Sequence, residues 1–193
     1  MGGGLCAAGK ALMNFNGNNI FRNNSAKNGG GIYTEDNSTL NFSGNNSFGN
    51  NSAERYGGGI VAVYKALMSF IGNFIFRSNS AEYGGGIYAQ RSTLNFSGNI
   101  TFTNNSAERY GGGIIAVYKA LINFNGNSIF RNNFAAVAGG GIYAKISSLS
   151  LDSTRKCSRD GNLCTSCNFH EKFSIDSWRS RVHRRQCFKF SRT

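Results

Sequence analysis

The chain contains no proline among its 193 residues, one tryptophan, two histidines, and 9 acidic side chains against 21 Lys+Arg. Each shortage excludes something. Without proline, the turns fall to residues that tolerate positive φ, and 26 glycines with abundant asparagine take that part. No apolar run approaches the ~18 residues of a membrane-spanning helix. The opening MGGGLCAAGKALMNF lacks the basic and apolar regions of a signal peptide. Cys6 stands where a myristoylation signal wants Ser or Thr. Both histidines, His170 and His183, lie near the C-terminus, so residues 1–150 hold no Ser/His/Asp set. The five cysteines are an odd number, which excludes a complete set of intrachain disulfides.

The formal net charge is +12. Residues 1–150 carry 11 basic and 5 acidic side chains, a net of +6, and residues 151–193 carry 10 and 4, again +6. The body is mildly basic and the tail strongly so. Such an excess suits an anionic partner or a solvated surface.

What is present is a repeat. Triple glycine begins at Gly2, Gly29, Gly57, Gly84, Gly111 and Gly139, at intervals of 27 or 28 residues. Phe-x-x-Asn occurs twice in each of five repeats: Phe15/Asn18 and Phe21/Asn24, Phe42/Asn45 and Phe48/Asn51, Phe70/Asn73 and Phe76/Asn79, Phe96/Asn99 and Phe102/Asn105, Phe124/Asn127 and Phe130/Asn133. A longer period overlies it: AERYGGGIVAVYKALMSF (53–70) returns as AERYGGGIIAVYKALINF (107–124), so the unit duplicated last is a pair of coils. A fixed period of this length marks a solenoid or array.

Gly and Asn disfavour helix interiors, and apolar residues alternate with polar ones in Leu94-Asn95-Phe96 and Ile100-Thr101-Phe102. Period two is the pattern of short half-buried strands. We expect three strands per repeat, at Ile87–Ala89, Thr93–Phe96 and Ile100–Thr103, with Ser-Gly-Asn and Asn-Asn-Ser-Ala as turns. The fold expected is all-β: a right-handed parallel β-helix of ~27-residue coils over 1–151, then an irregular basic tail over 152–193. Stacked Phe columns and Asn ladders, both turned inward, would hold the coils together. LxFxxN at Leu94–Asn99 makes a leucine-rich repeat the structural rival, but the triple glycine and second FxxN oppose it.

GGGI with paired FxxN resembles the repeats of the chlamydial polymorphic membrane proteins, over Gly2 to about Leu151. GGGI stands where that family more often has GGAI. The resemblance implies an exported, outer-membrane-associated or extracellular passenger with an adhesive role, and no enzyme. The partner expected is a host-cell protein or glycan, with no cofactor and no nucleic acid. Lacking a signal peptide and a C-terminal barrel, the chain reads as a fragment whose membrane association would come through missing regions.

Candidate chemistry is sparse. Glu54, Glu82 and Glu108 share one repeat position, with Arg55 and Arg109 adjacent, and form a solvated ladder more readily than a cation site. Glu35-Asp36 breaks the pattern, but one acidic pair does not make an active site. Many β-helix proteins degrade polysaccharides with clustered carboxylates. The competing reading is therefore a segment of a polysaccharide lyase or hydrolase whose active-site coils lie elsewhere. The triple glycine lacks the Lys-Ser/Thr ending of a phosphate loop. Tyr33, Tyr88 and Tyr143, with Tyr64 and Tyr118 in the other coils, would form a ligand-contacting stripe if they face outward, or pack between corners if they do not. In the tail, Cys157, Cys164, Cys167 and His170 are weak metal candidates, because no second CxxC or HxxxH completes a known spacing. Eight Asn-x-Ser/Thr sequons follow from the Asn/Ser-rich composition.

Overall fold

A computed structural model describes residues 1–151. The described chain has strands and no helix, and winds as a parallel β-solenoid of about five coils. Three sheets run along its axis. The glycine sheet stacks the strands that follow each triple glycine: β1 (Leu5–Ala7), β5 (Ile32–Thr34), β8 (Ile60–Val63), β11 (Ile87–Gln90), β14 (Ile114–Val117) and β18 (Ile142–Lys145). The long sheet stacks β2 (Leu12–Phe15) and β3 (Asn19–Arg22), β6 (Thr39–Gly49), β9 (Leu67–Arg77), β12 (Thr93–Thr103), β15 (Leu121–Phe124) with β16 (Ser128–Arg131), and β19 (Ser148–Leu151). The serine–alanine sheet stacks β4 (Ser25–Asn28), β7 (Ser52–Tyr56), β10 (Ser80–Tyr83), β13 (Ser106–Tyr110) and β17 (Phe134–Ala135). Every pairing is parallel, and like letters oppose like: Phe96 faces Phe70 and Phe124, and Ile87 faces Ile60 and Ile114.

The parallel solenoid and its period match expectation, but the division of the coil does not. Ser-Gly-Asn is no break in the central coils: β6 and β12 run through it, and β9 through its counterpart Ile71-Gly72-Asn73, as single 11-residue strands. Glycine makes this feasible, since a Cβ on Gly98 would lie 2.0 Å from the Gly72 carbonyl oxygen. The third strand is instead Ser-Ala-Glu-(Arg)-Tyr, the segment read as part of a turn.

The core is filled by the two Phe columns. Successive rings of the first column stack with centroids 4.4–5.7 Å apart, and those of the second 4.6–4.9 Å apart. The two columns meet edge to face, as at Phe42–Phe48. The widest stacking gap, Phe42–Phe70, is where Phe74 wedges edge-on against Phe70 at 5.1 Å. Burial of each such ring contributes roughly 1.5–3 kcal/mol.

The three glycines serve different ends. The first is left-handed throughout, with φ of +61° to +72°. At the second, a Cβ on Gly85 would meet the Ser106 carbonyl oxygen at 2.2 Å and that of Gly112 at 2.6 Å. The Ser-Ala strand thus lies directly against the glycine corner. This folding-back also explains why β8 and β14 read as unbroken apolar runs, IVAV and IIAV. One side of them meets the main core. The other packs, through Val61 and Ile115, in a second cluster with Tyr33, Tyr88, Tyr56, Tyr83 and Tyr110. Strands covered on both faces lose the alternation of half-buried ones.

Candidate functional site

The two FxxN motifs of one coil send their asparagines in opposite directions. Along β6, parity carries Phe42 inward, Asn45 outward and Phe48 inward. Past Phe48 the chain enters a left-handed residue, Asn50 at φ +54°, which resets the parity so that Asn51 points in. Ser78 and Asn104 do the same for Asn79 and Asn105. The second asparagines form the inward ladder Asn24–Asn51–Asn79–Asn105–Asn133, fully buried at Asn51, Asn79 and Asn105 and half-buried at its two ends. Along it, each Nδ2 donates to the next coil's Oδ1 at 2.9–3.0 Å. Each Oδ1 so engaged also accepts a backbone N–H of the previous coil at 3.0–3.1 Å.

The first asparagines were expected to face inward as well, and they do not. Asn18, Asn45, Asn73, Asn99 and Asn127 all lie exposed on the surface, because strand parity sets them opposite to the two inward Phe residues of their coil. They still form a ladder there. Asn45, Asn73, Asn99 and Asn127 are linked side chain to side chain at 2.8–2.9 Å. Asn18, in the first coil, joins differently: its Oδ1 accepts the backbone N–H of Asn45 at 3.3 Å. It sits between β2 and β3, where the first coil's strand is interrupted.

That surface is the outer face of the long sheet, whose central strands each run 11 residues. Alternate coils carry different letters on it. Coils one, three and five present Leu12 and Ile20, then Leu67, Ile71 and Ile75, then Leu121 and Ile129, all exposed. Their last outward residues are Arg22, Arg77 and Arg131. Coils two and four put Thr39, Ser43 and Ser47, or Thr93, Ser97 and Thr101, in the same columns. Further asparagines, Asn14–Asn41 and Asn95–Asn123, bridge neighbouring coils at 2.9 and 2.7 Å. No acidic side chain stands on this face in strands β2, β3, β6, β9, β12, β15 or β16. Sequence reasoning overlooked the face, although the pairwise duplication already held its alternation.

The tyrosines divide. Tyr33 and Tyr88 are buried and Tyr143 is half-buried, all in the outer cluster of the glycine sheet. They do not make an exposed stripe, because Tyr56, Tyr83 and Tyr110 lean over them; Tyr56 and Tyr88 have centroids 4.5 Å apart. Tyr33 donates to Glu35 Oε2 at 2.7 Å and Tyr88 to Gln90 Oε1 at 2.9 Å. Burial raises both phenol pKa values well above 10, helped at Tyr33 by the Glu35 carboxylate and at Tyr88 by neighbouring tyrosines. The exposed tyrosines are Tyr64 and Tyr118, at the corner between the glycine and long sheets. There Tyr64, Lys65, Arg91, Tyr118 and Lys119 all hold left-handed φ of +49° to +67°.

Glu54, Glu82 and Glu108 lie along the serine–alanine sheet as expected of a ladder. The pairing shifts register between Ala81 and Tyr83, because SAEY faces the longer SAERY on both sides. Arg109 reaches Glu82 at 3.6 Å, and Arg55 and Arg109 lie over the Tyr56 and Tyr83 rings. Exposed pairs of this kind contribute about 0–1 kcal/mol. Among the described residues, no three His, Cys, Asp or Glu side chains come together as a metal site. Cys157, Cys164, Cys167 and His170 lie outside the described residues. No helix among the described residues is long and apolar enough to cross a membrane.

These features define a β-solenoid repeat protein with a patterned outer face. Four segments, residues 20–35, 69–90, 99–116 and 122–145, match the Chlamydia polymorphic membrane protein repeat, to which the chain is similar over those residues. Comparison with curated proteins and with solved structures gave no match.

Proposed function

We propose that the solenoid is a surface-exposed, non-catalytic scaffold that adheres through the outer face of its long sheet. It would serve as a passenger-like stretch of a longer outer-membrane or extracellular protein. The observation that carries this reading is the acid-free outer face, with exposed Leu and Ile recurring in alternate coils beside arginine. Exposed large apolar side chains gathered on one face and rimmed by polar residues mark interaction sites. The repeat family supports the surface location. A host-cell protein or a glycan is the partner class, met by a rigid and regularly spaced surface.

The test is cell-surface binding by the full chain and by the variant Ile71→Thr/Ile75→Thr/Ile129→Thr. These three residues occupy two columns, and coils two and four already place Ser or Thr in both, so the fold accepts them. Loss of binding with an unchanged circular dichroism spectrum is expected. Undiminished binding would overturn the assignment of the face. Glycan depolymerisation by the purified chain would overturn its non-catalytic character.

A further inference from the structure

One column of the outer face carries a more specific message. Register places Arg22 beside Gly49, Gly49 beside Arg77, Arg77 beside Thr103, and Thr103 beside Arg131. Three exposed arginines therefore stand in one line along the solenoid axis, one in every second coil. With coils ~4.8 Å apart, the cations recur every ~9.6 Å. None of the three has an acidic partner within 4.0 Å among the described residues.

Each arginine has an isoleucine two positions earlier on the same face: Ile20, Ile75 and Ile129. The intervening coils are low and hydroxylic there, with Ser47 and Gly49 in one and Thr101 and Thr103 in the other. The result is a series of Ile–Arg ridges separated by shallow troughs. We infer that this column is a binding track for a linear anionic polysaccharide carrying a carboxylate or sulfate on alternate sugars. The inference rests on the adhesive reading and names the ligand class and residues for it.

The chemistry converges on that ligand. Guanidinium forks take carboxylate or sulfate oxygens by paired hydrogen bonds. The ridge spacing is close to a disaccharide step in an extended chain, so a polymer along the axis meets one cation per repeat. Sugar hydroxyls would lie over Ser47, Thr101 and Thr103, and apolar sugar faces against the isoleucines. A single-stranded nucleic acid fits less well, because it needs aromatic platforms and this face has no outward aromatic in strands β2, β3, β6, β9, β12, β15 or β16.

The test measures binding of the full chain to immobilised hyaluronan and heparin, with neutral dextran as the blank. Arg22→Thr/Arg77→Thr/Arg131→Thr places in the column the residue it already holds at Thr103. The control, Lys65→Asn/Arg91→Asn/Lys119→Asn, removes equal charge from the left-handed corner, where asparagine is favoured. The arginine variant should bind about tenfold or more weakly, with a flatter salt dependence, and the corner variant should match the parent. Equal losses in both variants would mean that charge alone is read, and the inference falls. It falls also if neither variant loses affinity, or if the chain binds anionic phospholipid vesicles and neither polysaccharide. If the isoleucine variant loses adhesion while the arginine variant keeps its polysaccharide binding, the adhesive reading stands and the track does not.

Discussion

Replacing Asn79 by alanine should cost far more than replacing Asn73, although both belong to FxxN motifs of the same coil. Asn79 is fully buried and uses its whole amide. Its Nδ2 donates to the Phe48 carbonyl and to Asn105 Oδ1, both at 2.9 Å. Its Oδ1 accepts the backbone N–H and the Nδ2 of Asn51, both at 3.0 Å. Truncation leaves two Asn51 donors without their acceptor and takes a donor from the Phe48 carbonyl, all away from water. At about 1–2 kcal/mol for each of these three groups, in the lower part of the range for a stranded buried group, the loss is about 3–6 kcal/mol. That is a large share of the 5–15 kcal/mol typical of a domain.

Asn73 also makes two ladder bonds, to Asn45 at 2.8 Å and from Asn99 at 2.9 Å, but on the surface. Water replaces it there, so Asn73→Ala should cost about 0.5–1 kcal/mol. Urea unfolding of the full chain, followed by far-ultraviolet circular dichroism, measures both. With a slope near 2 kcal/mol/M, the midpoint should drop by about 1.5–3 M for Asn79→Ala and by about 0.5 M or less for Asn73→Ala. Exchange of the Asn51 amide hydrogen should quicken in the first variant alone. Midpoints within 0.5 M of each other would refute the claim that the left-handed residue before the second asparagine divides the two ladders.

Other positions give independent checks. Thr34 is buried with no partner for its hydroxyl, in a column otherwise held by alanine. Thr34→Val should therefore stabilise by about 1–2 kcal/mol, read as a raised melting temperature. Gly85→Ala drives a Cβ into two backbone carbonyl oxygens and should abolish cooperative unfolding or cost about 3 kcal/mol or more, whereas Gly9→Ala meets no neighbour and should cost about 1 kcal/mol for its left-handed φ. Tyr88 is held neutral by burial, so its pKa is raised on folding. Its contribution is complete below the unfolded value of 10.0 and is lost as pH rises beyond it, because the unfolded chain then binds fewer protons. A pH series of melts should show stability falling above pH 10, less steeply in Tyr88→Phe.

The period, the parallel stacking and the two Phe columns were legible because repetition reports what lies over what. Period two then told which face each Phe takes. The same letters misled at the asparagines. Phe-x-x-Asn at Phe42 and at Phe48 look alike, and only the backbone at Asn50 turns the second one inward. The first-motif asparagines, from Asn18 to Asn127, keep the plain parity of a strand and so stay outside. Asn-Asn-Ser-Ala was read as a turn for a related reason. One of its residues is the corner, and the Ser-Ala that follows is already sheet. Tyr33 and Tyr88 could not be placed from their own coil, since Tyr56 and Tyr83 cover them from the strand before the glycines. The outer face was hidden because it is written in the positions that vary from coil to coil, not in the invariant columns. Those positions, Leu67, Ile71, Ile75 and Arg77 against Thr93, Ser97, Thr101 and Thr103, are where neighbouring coils differ.

The matched registry of successive coils also bears on how such a chain changes length. Residues 53–70 and 107–124 differ at three positions: Val61 against Ile115, Met68 against Ile122, and Ser69 against Asn123. Misaligned recombination between the two copies of coding sequence would add or delete a whole pair of coils. The new junction would again set Phe on Phe, Asn on Asn and glycine corner on glycine corner, and the alternation of arginine with threonine would continue unbroken. Lineages could thus extend or shorten the exposed surface in steps of two coils, at little risk to folding.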